Sequence, residues 1–264
     1  MSERPAAVTV PFASTGTGRP VVVLPGIWPS TGVGSAVLVR DALAPLHAVA
    51  PQRRLVVLNR WPGLATGTTI RDVAAEYADT LDRVLGEPFD LVGTSTGGSI
   101  AQQFAADHPH LVRRLALVST ACRLGPHGRR VQADVAAALR AGRIRAAGGI
   151  ATAGSAPAVF RSVLTGVGWV AAPLVIRGPQ TAADLATTLE AEDGFDLGSV
   201  ERVIAAPTLI LGGERDRFYD AELFPATAAL IPGSELHVLP RLGHGAVPRS
   251  HEARGLLTRF LLRD

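Results

Sequence analysis

Short continuous apolar runs alternate with amphipathic stretches along most of the chain, and that rhythm predicts strands and helices in turn. Residues 7–11 and 20–25 read as strands around the turn Ser14-Thr15-Gly16-Thr17-Gly18, a hairpin feeding a buried strand at 21–24. The next buried strand falls at 55–58. Between 70 and 85, Ile70, Val73, Tyr77, Leu81 and Val84 recur at helical spacing, and Pro88 closes that helix before another apolar run at 89–92. A helix over 99–106 ends near His108-Pro109, and a strand follows at 115–118. Farther along, 208–211 and 236–239 read as strands, and 221–231 and 252–262 as helices. Strand and helix in alternation imply a mostly parallel sheet.

Residues 123–199 interrupt this rhythm. They contain no convincing strand pair, only Ala-rich helical pieces broken at Gly148-Gly149, Pro157, Pro173 and Gly178-Pro179. An all-helical insertion in an α/β pattern reads as a cap, with 1–122 and 200–264 forming the core beneath it. No internal repeat or low-complexity linker stands out.

Composition agrees with one α/β domain carrying an insertion: 264 residues are enough to bury a substantial core. Hydrophobic residues make up 47% and charged ones 19%, which argues against long disordered segments. The formal net charge is only +3, and the arginine pairs at 53–54, 113–114 and 129–130 are scattered without interleaved aromatics, so no nucleic-acid partner is expected. All 26 basic residues are arginine, which removes Schiff-base lysines and the phosphate-loop lysine from consideration. The single cysteine, Cys122, has no internal disulfide partner, and its apolar neighbours mark it as an inert core residue. Residues 1–12 lack a basic-then-apolar secretory pattern, and no apolar run is long enough to span a bilayer. The expectation is a cytoplasmic protein without a membrane partner.

Candidate chemistry begins at Gly93-Thr94-Ser95-Thr96-Gly97-Gly98, a G-x-S-x-G string between a predicted strand and a predicted helix. A sharp strand-to-helix turn lifts a hydroxyl above the sheet edge, and only residues without side chains tolerate the crowding beside it. Two later loops also open from buried strands. One is Leu211-Gly212-Gly213-Glu214-Arg215-Asp216, which brings a carboxylate after a glycine turn; the other is Leu239-Pro240-Arg241-Leu242-Gly243-His244-Gly245. The spacing alone leaves Glu214, Asp216 and Asp220 as competing acids.

The order of elements and these three loops resembles the α/β-hydrolase superfamily over essentially the whole chain, with only the inserted helices poorly matched. The resemblance implies an α/β-hydrolase fold in which Ser95 is the nucleophile, His244 its general base and Asp216 the acid that orients the imidazole. A hydroxyl needs such a base to become nucleophilic, and the base needs a carboxylate to fix its tautomer. The family's alternative acid position fails, because residues 115–127 contain no carboxylate. His47, His108, His110, His127, His237 and His251 fall at caps, turns or strand positions and read as surface or capping residues.

The same resemblance makes the backbone N–H groups of Thr96 and Ile27 the oxyanion hole, with Pro25 standing where the family commonly has a histidine. Trp28, and Phe160 and Trp169 within the apolar stretch 159–176, are candidate pocket residues; Arg161 and Arg177 bracket that stretch and read as solvated surface. No metal or cofactor is implied. A serine at the elbow excludes the dehalogenases and epoxide hydrolases, which need aspartate there, and Ser95 stands where a dinucleotide-binding loop needs its second glycine. The expected activity is cleavage of carboxylic esters of hydrophobic small molecules. Lactonases, carbon–carbon hydrolases, cofactor-free perhydrolases and low-turnover receptors of this fold share the apparatus.

Overall fold

In the computed structural model, which describes residues 10–155 and 160–263, seven strands form one sheet. They are β1 (Phe12–Thr15), β2 (Pro20–Leu24), β3 (Arg54–Leu58), β4 (Phe89–Thr94), β5 (Val112–Val118), β6 (Thr208–Gly213) and β7 (Glu235–Leu239). Their order across the sheet is β1-β3-β2-β4-β5-β6-β7, and every pairing is parallel except β1 with β3. The expected hairpin is corrected here: β1 pairs with β3, Phe12 opposite Leu58, so the turn at 14–18 carries the chain over β3 and not back along β1. Residues 7–9 of the expected first strand lie outside the described residues.

Branched apolar side chains dominate the central strands because both faces of the sheet are covered. Val22 and Leu24 point into a cluster with Tyr77, Phe89, Phe104 and Phe224, whereas Val21 and Val23 join Val57, Val92, Val118 and Phe260 on the other side. Helices α2 (Ile70–Leu85), α3 (Thr96–Asp107) and α8 (Leu223–Leu230) therefore cover one face, and α1 (Ala36–Leu43) and α9 (His251–Leu262) the other. The chain leaves β2 toward β3 on one side and reaches β4 on the other. That reversal opens a crevice at the carboxyl ends of β2 and β4, where open α/β sheets bind ligands.

Between β5 and β6 the described residues form four α-helices: α4 (Pro126–Arg140), α5 (Ile144–Ser155), α6 (Arg161–Val175) and α7 (Gly178–Asp193). Val135, Leu139, Ala172, Ile176, Leu185 and Leu189 give them a core of their own. Gly148-Gly149 and Pro173 do not break helices as expected; they lie inside α5 and α6. Close packing explains the glycines, since a Cβ on Gly148 would stand 2.3 Å from the Gly168 carbonyl oxygen. Gly178 and Pro179 do mark a start, opening α7, while Pro157 and Val159 lie outside the described residues.

The turn between β4 and α3 is the most crowded point of the sheet. A Cβ on Gly97 would meet the backbone oxygens of Leu24 and Pro25 at 2.1 and 2.4 Å, and one on Gly93 would meet Ala101 Cβ at 2.6 Å. Backbone at the end of β2 has little freedom to retreat. Gly97→Ala is expected to destabilise the protein by about 1–3 kcal/mol, a fall of several degrees in thermal midpoint measured by circular dichroism. An unchanged midpoint would show that the elbow tolerates a side chain there.

Candidate active site

Ser95 sits at the tip of that turn with φ 51° and ψ −125°, a left-sided conformation unusual for a residue with a side chain. Three backbone hydrogen bonds hold it there. Its N–H donates to the Val118 carbonyl at 3.1 Å, and its own carbonyl accepts from Gly98 at 2.7 Å and Ser99 at 3.3 Å. The hydroxyl is thereby aimed out of the crevice toward the loop after β7.

His244 arrives from that loop, with Nε2 3.0 Å from Ser95 Oγ and Nδ1 2.8 Å from Asp216 Oδ2. Asp216 has no exposed side-chain surface, and its other oxygen accepts the N–H groups of Phe218 at 2.9 Å and Tyr219 at 3.1 Å. A carboxylate only accepts, so Nδ1 carries the proton and Nε2 is left to accept from the serine. The competition among acids is resolved by position. Glu214 is exposed and accepts from the backbone of Arg241, Asp220 is exposed beside Gly125, and Asp216 alone of the three reaches the imidazole.

The imidazole is also held by its surroundings. The Phe218 and Tyr219 rings lie 5.0 and 5.8 Å from its centre, the latter stacked, and Ser119 Oγ donates to the His244 carbonyl at 2.8 Å. The loop after β2 closes the other side, approaching so tightly that a Cβ on Gly26 would be 3.3 Å from Ser95 Cβ. Arg60, buried, donates to the Trp28 carbonyl at 2.7 Å, and burial lowers its guanidinium pKa to about 10. Asn59 donates to the carbonyls of Ser30 and Gly32 at 2.9 and 2.8 Å, fixing the same loop.

Ser95, His244, Ile27 and Trp28 all border a cavity of about 650 Å³, whose remaining wall is mostly aliphatic: Val131, Val135, Ala147, Ala171, Val175 and Leu185 among them. Two expected pocket residues are not on it. Phe160 and Trp169 are 59% and 49% exposed: Phe160 precedes α6, and the helix turns Gly168, Ala171 and Ala172 inward and Trp169 outward.

A match to the model of the alpha/beta hydrolase family spans residues 21–255. The chain belongs to that family. A protein named as a carbamate hydrolase, RutD, from Klebsiella pneumoniae subsp. pneumoniae is 31% identical over 243 residues, covering 86% of this chain and 85% of its own. The pyrrolizixenacetamide deacetylase of Xenorhabdus hominickii is 25% identical, over 74% of this chain and 73% of its own. Among solved structures, the enol-lactonase from Burkholderia xenovorans LB400 superposes with a TM-score of 0.74 at 21% identity, covering 96% of both chains. The functional class these likenesses support is that of a hydrolase.

One residue central to this hydrolase's site escaped sequence reasoning. Glu192, at the end of α7, is 1% exposed and accepts from Thr96 Oγ1 and Gln132 Nε2 through one oxygen and from Ser99 Oγ and Tyr219 Oη through the other, at 2.7, 2.8, 3.3 and 2.7 Å. Burial first, and then this neighbouring carboxylate, raise the Tyr219 phenol well above its ordinary pKa, so it stays a donor. No local signal distinguishes Glu192 within Glu190-Ala191-Glu192-Asp193, which reads as a solvated helix end. Cys122 is buried, and burial raises its thiol pKa. Iodoacetamide at neutral pH is therefore expected to leave Cys122 unmodified in the native protein and to alkylate it in denaturant, as read by mass spectrometry. Rapid native labelling would contradict its assignment as a packing residue.

Proposed function

We propose that the protein is a serine hydrolase of carboxylic esters with a hydrophobic acyl or alcohol group, acting through an acyl-enzyme. The observation that carries this reading is the hydrogen-bonded chain from Ser95 through His244 to Asp216, opening onto the aliphatic cavity. Ser95 Oγ attacks the ester carbonyl carbon while its proton passes to His244 Nε2, and Asp216 stabilises the resulting imidazolium. The carbonyl oxygen becomes an oxyanion, to which the N–H groups of Thr96 and Ile27 donate. Thr96 opens α3, where the first N–H groups of a helix have no partner within it. Collapse of the tetrahedral intermediate expels the alkoxide, which takes the proton from His244. His244 then deprotonates a water that attacks the acyl carbon, and a second collapse frees the acid and restores the Ser95 hydroxyl.

Support for a hydrophobic acyl or alcohol group comes from the cavity wall, whose aliphatic side chains bind hydrocarbon well. A lactone is the same bond closed into a ring, and the same steps would open it.

Turnover of p-nitrophenyl butyrate by the native protein, reduced about 10⁴-fold or more in Ser95→Ala, is the expected result. Absence of turnover by both, with ligand binding retained by both, would favour a receptor instead. Asp216→Asn keeps the volume but offers an amide where the imidazole needs an acceptor, and should lower kcat roughly 10³–10⁴-fold with little change in KM. A larger loss in Glu214→Gln than in Asp216→Asn would reassign the acid.

A further inference from the structure

The outer face of α6 has no partner among the described residues. Val163, Val167, Val170 and Leu174 recur at i, i+4, i+7 and i+11 and are 66%, 55%, 59% and 66% exposed, with Phe160 and Trp169 exposed alongside. Soluble monomers rarely leave so continuous an apolar stripe in water. The inner face of the same helix, through Gly168, Ala171 and Ala172, borders the cavity over Ser95. One helix thus separates the cavity from an exposed apolar surface.

Charge indicates what covers it. Residues 135–183 include Arg140, Arg143, Arg145, Arg161 and Arg177 and contain no Asp or Glu. Arg161 and Arg177 stand exposed at the two ends of α6, and Arg145 lies 4.5 Å over the Trp169 ring on its flank. An apolar stripe rimmed by guanidinium groups, with a tryptophan at the rim, matches a bilayer surface: hydrocarbon takes the stripe, and anionic head groups take the arginines. A second copy matches poorly. Two α6 helices packed antiparallel across a two-fold axis would set Arg161 of one beside Arg177 of the other, like charge against like.

We propose that α6 is an interfacial helix that docks the protein on membranes containing anionic lipid, presenting the cavity to lipophilic substrates held there. No helix among the described residues is long and apolar enough to cross a membrane, but a helix lying in the head-group plane needs no such length. Docking therefore departs from the expectation of a protein without a membrane partner, which rested on the absence of a spanning run. It requires no turnover, so it stands or fails separately from the ester-hydrolase reading.

Flotation of the full chain with vesicles tests it, comparing pure phosphatidylcholine with phosphatidylcholine containing about one third phosphatidylglycerol. Binding is expected to the anionic vesicles only and to weaken in high salt. Val167→Ser combined with Val170→Ser should abolish it, and Arg161→Gln combined with Arg177→Gln should weaken it roughly tenfold or more. These side chains are exposed, so all variants should melt like the native protein; a variant that does not is replaced by Val163→Ser with Leu174→Ser. Equal binding to both vesicle types, no binding to either, or binding unaffected by the serine substitutions overturns the proposal. So does light scattering that shows a dimer dispersed by Val167→Ser with Val170→Ser, which would assign the stripe to a second copy.

Discussion

The strained turn at Ser95 is the constraint around which the rest is arranged. A left-sided backbone on a residue with a side chain costs of order 1–3 kcal/mol and persists only where neighbouring structure over-determines it. Here β5 accepts its N–H, the first turn of α3 donates to its carbonyl, and the ends of β2 and α3 press so closely that Gly93 and Gly97 cannot carry side chains. The crevice where the sheet reverses direction is the one place where a hydroxyl so displayed meets loops from β2, β6 and β7 together. Position in the sheet and strain in the turn are two aspects of one requirement.

Much of this was legible in the chain. Continuous apolar runs located the central strands to within a few residues, because strands buried on both faces need no alternation. The glycines of the elbow carried their own steric reason. The first strand was misread because a turn-rich segment between two apolar runs fits a hairpin locally, and only pairing with the distant β3 shows otherwise. Helix α1 was missed because it is only eight residues long and follows a segment rich in Gly, Pro and Ser, so too few turns show their periodicity.

Within the site, the three side chains of the Ser95–His244–Asp216 hydrogen-bonded chain were readable and those packed around it were not. Ser95, Asp216 and His244 sit in loops whose glycines announce them. Glu192, Tyr219, Asn59 and Arg60 have no such context, and their importance comes from burial and from partners up to 96 residues away. The pocket residues failed for a related reason. An apolar helix in an insertion reads the same whether a given side chain faces in or out, and for α6 the phase that turns Ala171 inward turns Trp169 outward.

The carboxylate of Glu192 also divides the inserted helices mechanically. It joins α4 and α7 to the elbow helix and to the ring stacked on the imidazole, and withdrawing it would leave a charged group and four donors without partners in a low-dielectric interior. No comparable polar anchor ties α5 and α6 to the sheet among the described hydrogen bonds; packing of small side chains holds them to α4 and α7. The insertion is thus fastened beside the Ser95 turn at the end formed by α4 and α7, and among the described residues the α5–α6 pair reaches the sheet through them.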